Sequence, residues 1–443
     1  MTDRHSPLLT QTQADALRAA VRGPVHLAGE DGFDAARQAW NLTVDQPVAA
    51  VVEARDVAEV SALVRFATAA EVAIAPQPNG HGASGRTAGT ILLRTGRLDG
   101  IEIDAENRTA WIGAGVSSGA LQRATAEHGL TALPGSSPVV SVTGVALGGG
   151  LSWFGRAFGW VADSVIAFDV VDAQGQVRRV DAEQDPDLFW ALRGGGGDYA
   201  IVTGLKLTLQ EAPAVFGGRM LWPGAQAPAV ARAFAEATRS APRELTLWLQ
   251  LMNFPGADPM VAIDLTYLGE ETAGRQLIAA LDSLPAPLSD SRAMLSVADL
   301  GGITAEPTDP SAGLSRAELL TGFDEAAITA LLAKPVAPLL GVQIRHLGGA
   351  LGQESDSPHG PLREPYGVYL IGTPALAEAA AITDRQQRIL DGLPTSGRKP
   401  VSMLQPGESL ADALPAGSLQ RLGRIKRERD PQGVFRANFG VLA

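Results

Sequence analysis

The sequence predicts an α+β protein of two domains, the second built on an antiparallel sheet covered by helices. Three observations carry that reading. From Val48 to about Leu209, apolar runs of strand length alternate with segments of helical period, as expected of layered sheets and helices. The composition then breaks at Glu211-Ala212-Pro213. Beyond it, residues 244–252 and 260–267 form long apolar runs around the turn Phe254-Pro255-Gly256-Ala257-Asp258-Pro259, a hairpin pattern. A chain of 443 residues is long for one core. The division expected is 1–210 and 400–443 in one domain, with 211–399 in the other.

The elements follow in order. Residues 10–22 form an amphipathic helix, and Val48-Ala49-Ala50-Val51-Val52 a strand. Over 57–70, Val57, Val60, Leu63, Val64 and Ala67 repeat at helical spacing. Val72-Ala73-Ile74-Ala75 and Ile91-Leu92-Leu93 flank a glycine-rich loop, and strands are expected at 100–103 and 109–112. A helix over 118–128 stops at Gly129. In the second domain a helix over 270–283 precedes a Pro/Gly-rich stretch at 285–313. Strands at 342–346 and 366–371 come next, then a helix over 375–391. A last helix from Leu419 ends at the Asp430-Pro431 turn.

Composition removes several function classes. A formal net charge of −12 offers no overall basic field for nucleic acid. The one basic cluster, Arg421, Arg424, Lys426, Arg427 and Arg429, has helical spacing and reads as a solvated helix face. The absence of cysteine excludes disulfides, thiolate metal sites and cysteine nucleophiles, and no metal site is expected. No apolar run approaches the roughly 18 residues of a membrane span, and Met1-Thr2-Asp3-Arg4-His5-Ser6 has no signal-peptide core. The expectation is a cytoplasmic monomer or homodimer.

Three glycine clusters carry the chemistry. The loop Gln77-Pro78-Asn79-Gly80-His81-Gly82-Ala83-Ser84-Gly85 places an imidazole among small residues whose backbone can approach a pyrophosphate. Its Gly80-x-Gly82-x-x-Gly85 string matches the dinucleotide fingerprint only literally. That fingerprint must open a helix, whereas a β-type run follows here. The second cluster runs from Gly135-Ser136-Ser137-Pro138 through Ser141-Val142-Thr143-Gly144 to Leu147-Gly148-Gly149-Gly150, and the third is Gly194-Gly195-Gly196-Gly197. Turns explain one or two glycines. Close backbone approach to one extended ligand explains all three clusters, and tight loop packing is the alternative.

These residues resemble a known family. The order Pro78-x-Gly80-His81, Gly135-x-x-Pro138, Gly148-Gly149-Gly150, Phe158-Gly159-x-x-x-Asp163, Asp187-Leu188-Phe189-Trp190-Ala191-Leu192-Arg193-Gly194 and Ile201-Val202-Thr203 resembles the PCMH-type FAD-binding domain of the vanillyl-alcohol-oxidase superfamily. The berberine-bridge-enzyme-like oxidases are the branch it is most similar to. Phe33-Asp34-x-Ala36-Arg37-x-x-Trp40-Asn41 and the tail Asp430-Pro431-x-x-Val434-Phe435-Arg436-x-Asn438 fit it too.

The resemblance implies FAD, bonded through His81 to the flavin 8α-methyl. Pro78, Asn79, Gly80, Gly82 and Ala83 would face it from one side. Gly135, Ser136, Ser137, Ser141, Val142, Gly144, Leu147, Gly148 and Gly150 would line the other. Val202 would meet the adenine end, and Asn438 the ring or ribityl chain. Many relatives carry a second, cysteinyl link where this chain has Ser137. That leaves one histidyl bond, a pattern similar to 6-hydroxynicotine oxidases and bacterial tailoring oxidases.

The activity implied is hydride abstraction from a C–H next to oxygen or nitrogen of a small molecule, with O2 as acceptor giving H2O2. The acidic, Ala/Pro-rich composition is compatible with bacterial secondary metabolism or catabolism. The family's Tyr-x-Asn strand is missing from Val401-Ser402-Met403-Leu404-Gln405, so its phenolic base has no counterpart there. Candidates to replace it are Tyr366, Tyr369, Gln343 and His359, the last in a Pro-His segment similar to the family's. Tyr267, Arg345 and His346 also lie on expected strands, and alternation sets Gln343 and Arg345 opposite His346. Two other readings stay open. One is a flavin-bound protein with a non-oxidative role. The other is a serine hydrolase using Ser117 in Gly115-Val116-Ser117-Ser118-Gly119, with Asp163 and His346; an N-cap for the helix that follows explains that serine equally.

Overall fold

Three apolar stretches of the first domain pair side by side. In the computed structural model, which describes residues 9–212 and 215–442, Ala50–Glu53, Ile91–Arg94 and Ile74–Pro76 run parallel, with Val25–Leu27 antiparallel at the edge. Pro213 of the composition break and the N-terminal hexapeptide lie outside the described residues. The strands read as unbroken apolar runs because both faces are covered. Val51, Ala75 and Leu92 meet Phe33, while Ala50, Val52, Ile74 and Leu93 share a core with Leu63 and Val64 of the helix Val57–Ala70. Asp56 starts that helix by accepting from the Glu59 backbone N–H at 2.9 Å.

A second sheet, Ile101–Asp104, Thr109–Gly113, Ile201–Thr208, Val165–Val171 and Val177–Val180 in spatial order, is antiparallel throughout. Its core takes in Leu404, Leu422 and Ile425 from the end of the chain. The C-terminal segment then joins the first sheet, where Ile74 N–H donates to Val434 O at 2.7 Å and Arg436 N–H to Ile74 O at 2.8 Å.

The large sheet orders Val215–Pro223, Met260–Tyr267, Leu245–Met252, Gly341–His346, Tyr366–Gly372 and Leu314–Leu320 as antiparallel neighbours. The helices Ala227–Arg239, Glu325–Leu332 and Ala379–Leu390 cover one face, burying Phe234, Ile328 and Ile382 against Leu249, Ile263 and Ile344. Among the described residues no helix is long and apolar enough to cross a membrane.

Several expectations need correction. The helix over 270–283 is two pieces, Glu271–Leu277 and Ala279–Asp282, separated at Ile278. The Pro/Gly-rich stretch contributes two short edge strands, Ser289–Asp290 and Ala293–Leu295. Strand Val215–Pro223 escaped the periodicity reading because Gly217 and Gly218 interrupt its apolar pattern. The basic cluster is a solvated face only in part: Arg424 and Arg427 are exposed, but the rest is tied down. Lys426 is buried and donates to Asp430 at 2.7 Å, Phe435 O at 2.9 Å and Asp198 O at 2.7 Å, while Arg421 and Arg424 both reach Asp187. Helix Ala416–Arg429 uses its positive charge to fasten the end of the chain to the first domain.

Candidate active site

The loop at 77–85 is held rigidly from three sides. Gln77 Nε2 donates to Gln46 Oε1 at 2.7 Å and to Asn438 Oδ1 at 3.0 Å, and Ser84 Oγ donates to Asn438 O at 2.5 Å. Asn79 Nδ2 donates to Val139 O at 2.8 Å, tying this loop to the second glycine segment. Its Oδ1 faces His81 Nδ1 at 3.0 Å. Because the amide nitrogen is spent on Val139, Oδ1 acts as acceptor and His81 Nδ1 carries the proton, leaving Nε2 with a free lone pair. The imidazole stacks on Trp40, centroids 4.1 Å apart. Burial pushes its pKa down to about 4, so it is neutral near neutral pH. Trp40 is anchored in turn to the second domain, its carbonyl accepting from Ser311 N–H at 3.1 Å.

The glycines fall into two groups. A Cβ added at Gly82, Gly135 or Gly144 would meet nothing within 4 Å, so these backbones border open space. Gln77 Oε1 and Thr143 Oγ1 are buried without a hydrogen-bond partner among the described residues. Open backbone beside orphaned polar atoms suits an extended polar ligand, and FAD fits that arrangement. Ser141 caps the helix Val142–Leu147, on which Gly144 sits exposed.

Most of the other cluster glycines are filled by the protein itself. Gly149 and Gly194, both at positive φ, face the ring of His359. Gly150 meets Val145 and Val161, Gly148 meets Ser402, and Gly195 meets Leu422. Packing therefore explains the Gly148–Gly150 run and, in the third cluster, Gly194 and Gly195, while Gly196 at φ +91° meets nothing within 4 Å, so one ligand is not needed to account for every glycine. Gly80 also has φ +78° and lies close to Ala39, so the turn alone requires it. Pro78, Ser136, Ser137 and Leu147 are half-buried along these loops, while Ala83 and Val142 are buried. Val202 is buried on Ile201–Thr208 opposite Val170.

The face of the large sheet turned away from its three covering helices borders the candidate site, packed in part against Trp153 and Ile303. Cross-strand register brings together Trp248, Gln250, Asp264, Gln343, Arg345 and Tyr369. Arg219 forks onto Asp264 at 2.6 and 2.9 Å, Gln250 donates to Asp264, Gln343 to Gln250 at 3.3 Å, and Arg345 to Gln343 Oε1 at 2.8 and 3.1 Å. Trp153, just beyond the second glycine segment, stacks on Trp248 at 3.9 Å. Leu151, Pro400 and Met403 line a small cavity with Arg345 and Tyr369. Burial raises the Tyr369 phenol pKa.

The remaining candidates lie elsewhere. Tyr366 stands on the helix-covered face, bonded to Thr238 Oγ1 at 2.7 Å and packed among Phe234 and Phe323. His346 lies beside it, its pKa lowered to about 3 by burial and the nearby Arg156, and Tyr267 is on the same face. His359 is enclosed by Trp160, Gly149 and Gly194, its pKa pushed down to about 3 by burial. Residues 401–403 form a 3-10 turn where the resemblance implied a strand. Ser117 has ordinary extended backbone and caps the helix Ser118–Ala126 through Ala120 N–H, so the nucleophile-elbow reading has no support. Sequence reasoning missed Trp248, Gln250 and Asp264, which carry no motif and are brought together only by register.

Comparison with known proteins bears on the fold and the cofactor. Residues 48–181 match the FAD binding domain family. The chain is 28% identical to (R)-6-hydroxynicotine oxidase of Paenarthrobacter nicotinovorans over 95% of its own length and 97% of that protein's. Its fold is similar to that of 6-hydroxy-D-nicotine oxidase from Arthrobacter nicotinovorans, with TM-score 0.84 and 23% identity over 94% of this chain and 97% of that one. It is also similar to berberine bridge enzyme from Eschscholzia californica, with TM-score 0.81 and 19% identity over 97% and 98%.

Proposed function

Starting from a chain that is an FAD-linked oxidoreductase, we propose that it oxidises a small alcohol, amine or natural-product intermediate and holds its flavin covalently through His81 alone. When bound, FAD would accept a hydride from a C–H next to oxygen or nitrogen, with dioxygen as the final acceptor giving hydrogen peroxide. The observation that carries the covalent reading is the state of His81. It is neutral, clamped between Trp40 and Asn79, and its free Nε2 is available as a nucleophile.

The chain's own residues divide the remaining work. The open backbones at Gly82, Gly135 and Gly144 would bear the cofactor's polar chain. Asn438, through Gln77 and Ser84, holds the 77–85 loop in place. On the substrate side, Tyr369 keeps its proton at neutral pH because burial raises its pKa, so it would donate a hydrogen bond and orient the substrate. Gln343 cannot titrate and serves to aim Arg345. Trp153 and Trp248 exclude water where the two domains meet.

Acid precipitation of the purified protein tests the anchor. A yellow pellet is expected from wild type, and a colourless pellet with yellow supernatant from His81→Ala. Wild-type protein that binds no flavin would sink the proposal.

A further inference from the structure

Trp40 is held at three points. Its N–H donates to Asn79 O at 3.1 Å, its carbonyl accepts from Ser311 N–H at 3.1 Å, and its ring lies on His81 within 15° of parallel. The first contact belongs to the 77–85 loop. The second belongs to residues 311–313, which lead into the strand Leu314–Leu320 of the large sheet. The next residue, Asn41, strengthens that second tie. Its Nδ2 donates to Gly313 O at 2.9 Å and its Oδ1 accepts from Gly313 N–H at 3.1 Å, so one amide side chain pairs with a backbone residue as a strand neighbour would. Thr43 Oγ1 donates to Asn41 Oδ1 at 2.8 Å and fixes the orientation of that amide. Leu42 N–H adds a bond to Ser311 O at 3.1 Å.

Upstream of Trp40 the chain is secured by its own neighbourhood, with Arg94 donating to Ala36 O at 3.1 Å and Gln46 to Arg37 O at 2.7 Å. From Trp40 to Leu42, among the described residues, every hydrogen bond outside the local turn goes to Asn79, Ser311 or Gly313. The half-buried indole is thus placed in large part by a segment 272 residues further along the chain. That segment also reaches the second glycine cluster, since a Cβ added at Gly301 would lie 3.2 Å from the Pro138 ring. Residues 301–313 therefore brace both loops of the proposed flavin site. Burial is what lowers the His81 pKa, and Trp40 covers one face of the imidazole. We propose that Asn41 is a positioning residue for His81: by clamping Gly313 it seats Trp40 on the imidazole, so that docking of the large sheet, and not the 77–85 loop alone, shapes the flavin anchor. This rests on reading His81 as that anchor.

The test uses the full chain and two readouts, the acid-stable share of its flavin and the titration of His81 followed by NMR in flavin-free protein. Asn41→Ala is expected to lower the acid-stable share at least about threefold at equal total flavin, the worth of one modest hydrogen bond. It should also raise the His81 pKa from about 4 toward 6.5, by about one unit. Trp40→Ala should do the same and Trp40→Phe keep the wild-type values. The Asn41→Ala/Trp40→Ala pair should match Trp40→Ala alone, because Asn41 acts through the indole. Thr43→Val, a same-sized change at an exposed position, covers the case in which Asn41→Ala does not fold, and should move both readouts the same way by less. Wild-type readouts in Asn41→Ala and Thr43→Val, or additive effects in the pair, overturn the assignment. Wild-type protein that binds flavin but releases all of it in acid removes the anchor reading instead, and the His81 titration then decides by itself whether Asn41 positions the ring.

Discussion

Asn79 and His81 sit two residues apart in one loop, and Asn79 Oδ1 holds the proton on His81 Nδ1 at 3.0 Å. The amide is itself oriented by Val139 O from the second glycine segment. One side chain thus sets both the tautomer of the proposed flavin anchor and the spacing of the two loops.

Replacing Asn79 by alanine removes that control without removing the nucleophile. Covalent attachment, followed by acid-stable absorbance after adding FAD to apoprotein, is expected to slow by about tenfold, the worth of one oriented hydrogen bond. An unchanged time course would show that the tautomer is set by something else.

The two glycine groups respond oppositely to alanine. Gly144 lies within a helix beside open space, so Gly144→Ala should raise apoprotein stability by up to about 1 kcal/mol while flavin retention falls. Gly194, at φ +101° against His359, has no room for a Cβ. Gly194→Ala is expected to cost about 2 kcal/mol or more through strain and overpacking. Urea unfolding of apoprotein and flavin content after gel filtration check both arms.

Tyr366 and Tyr369 are three residues apart on one strand and therefore face opposite sides. Tyr366→Phe loses the bond to Thr238 and should lower stability by about 1 kcal/mol, with the rate of flavin reduction unchanged. Tyr369→Phe should slow flavin reduction and leave the unfolding midpoint within about 0.5 kcal/mol. Stopped-flow reduction under anaerobic conditions, paired with denaturation, distinguishes them; a reversed pattern would put the site on the wrong face.

Acid should weaken the fold before it protonates most carboxylates. His81, His346 and His359 have pKa values lowered from 6.5 to about 4, 3 and 3 by burial. Below about pH 6.5 the unfolded chain binds protons that the folded chain refuses, so stability falls by up to about 1.4 kcal/mol per pH unit for each histidine. The loss continues until the folded imidazoles protonate, near pH 4 for His81 and near pH 3 for the other two. Urea midpoints that stay constant from about pH 8 to about pH 5 would exclude three neutral buried histidines.

Much of the fold was legible locally. The helix Val57–Ala70 matched its apolar spacing residue for residue, and the strands around the 77–85 loop lay where short apolar runs met glycines. The basic helix was misread because the partners of Lys426 and Arg421, Asp198 and Asp187, lie more than two hundred residues earlier in the chain. Glycine clusters were overread because one residue type serves two ends: space for a ligand at Gly144, space for His359 at Gly149 and Gly194.

The sequence by itself determined the match of residues 48–181 to the FAD binding domain family, the histidine in the 77–85 loop and, through the lack of cysteine, the exclusion of any cysteinyl link. These are properties of residue identity and of periods only a few residues long. The tertiary structure alone decided which glycines border open space, which tyrosine faces the site, and that Asp264 neutralises Arg219. Free space, facing and charge compensation arise between segments far apart in the chain, and no local pattern encodes them.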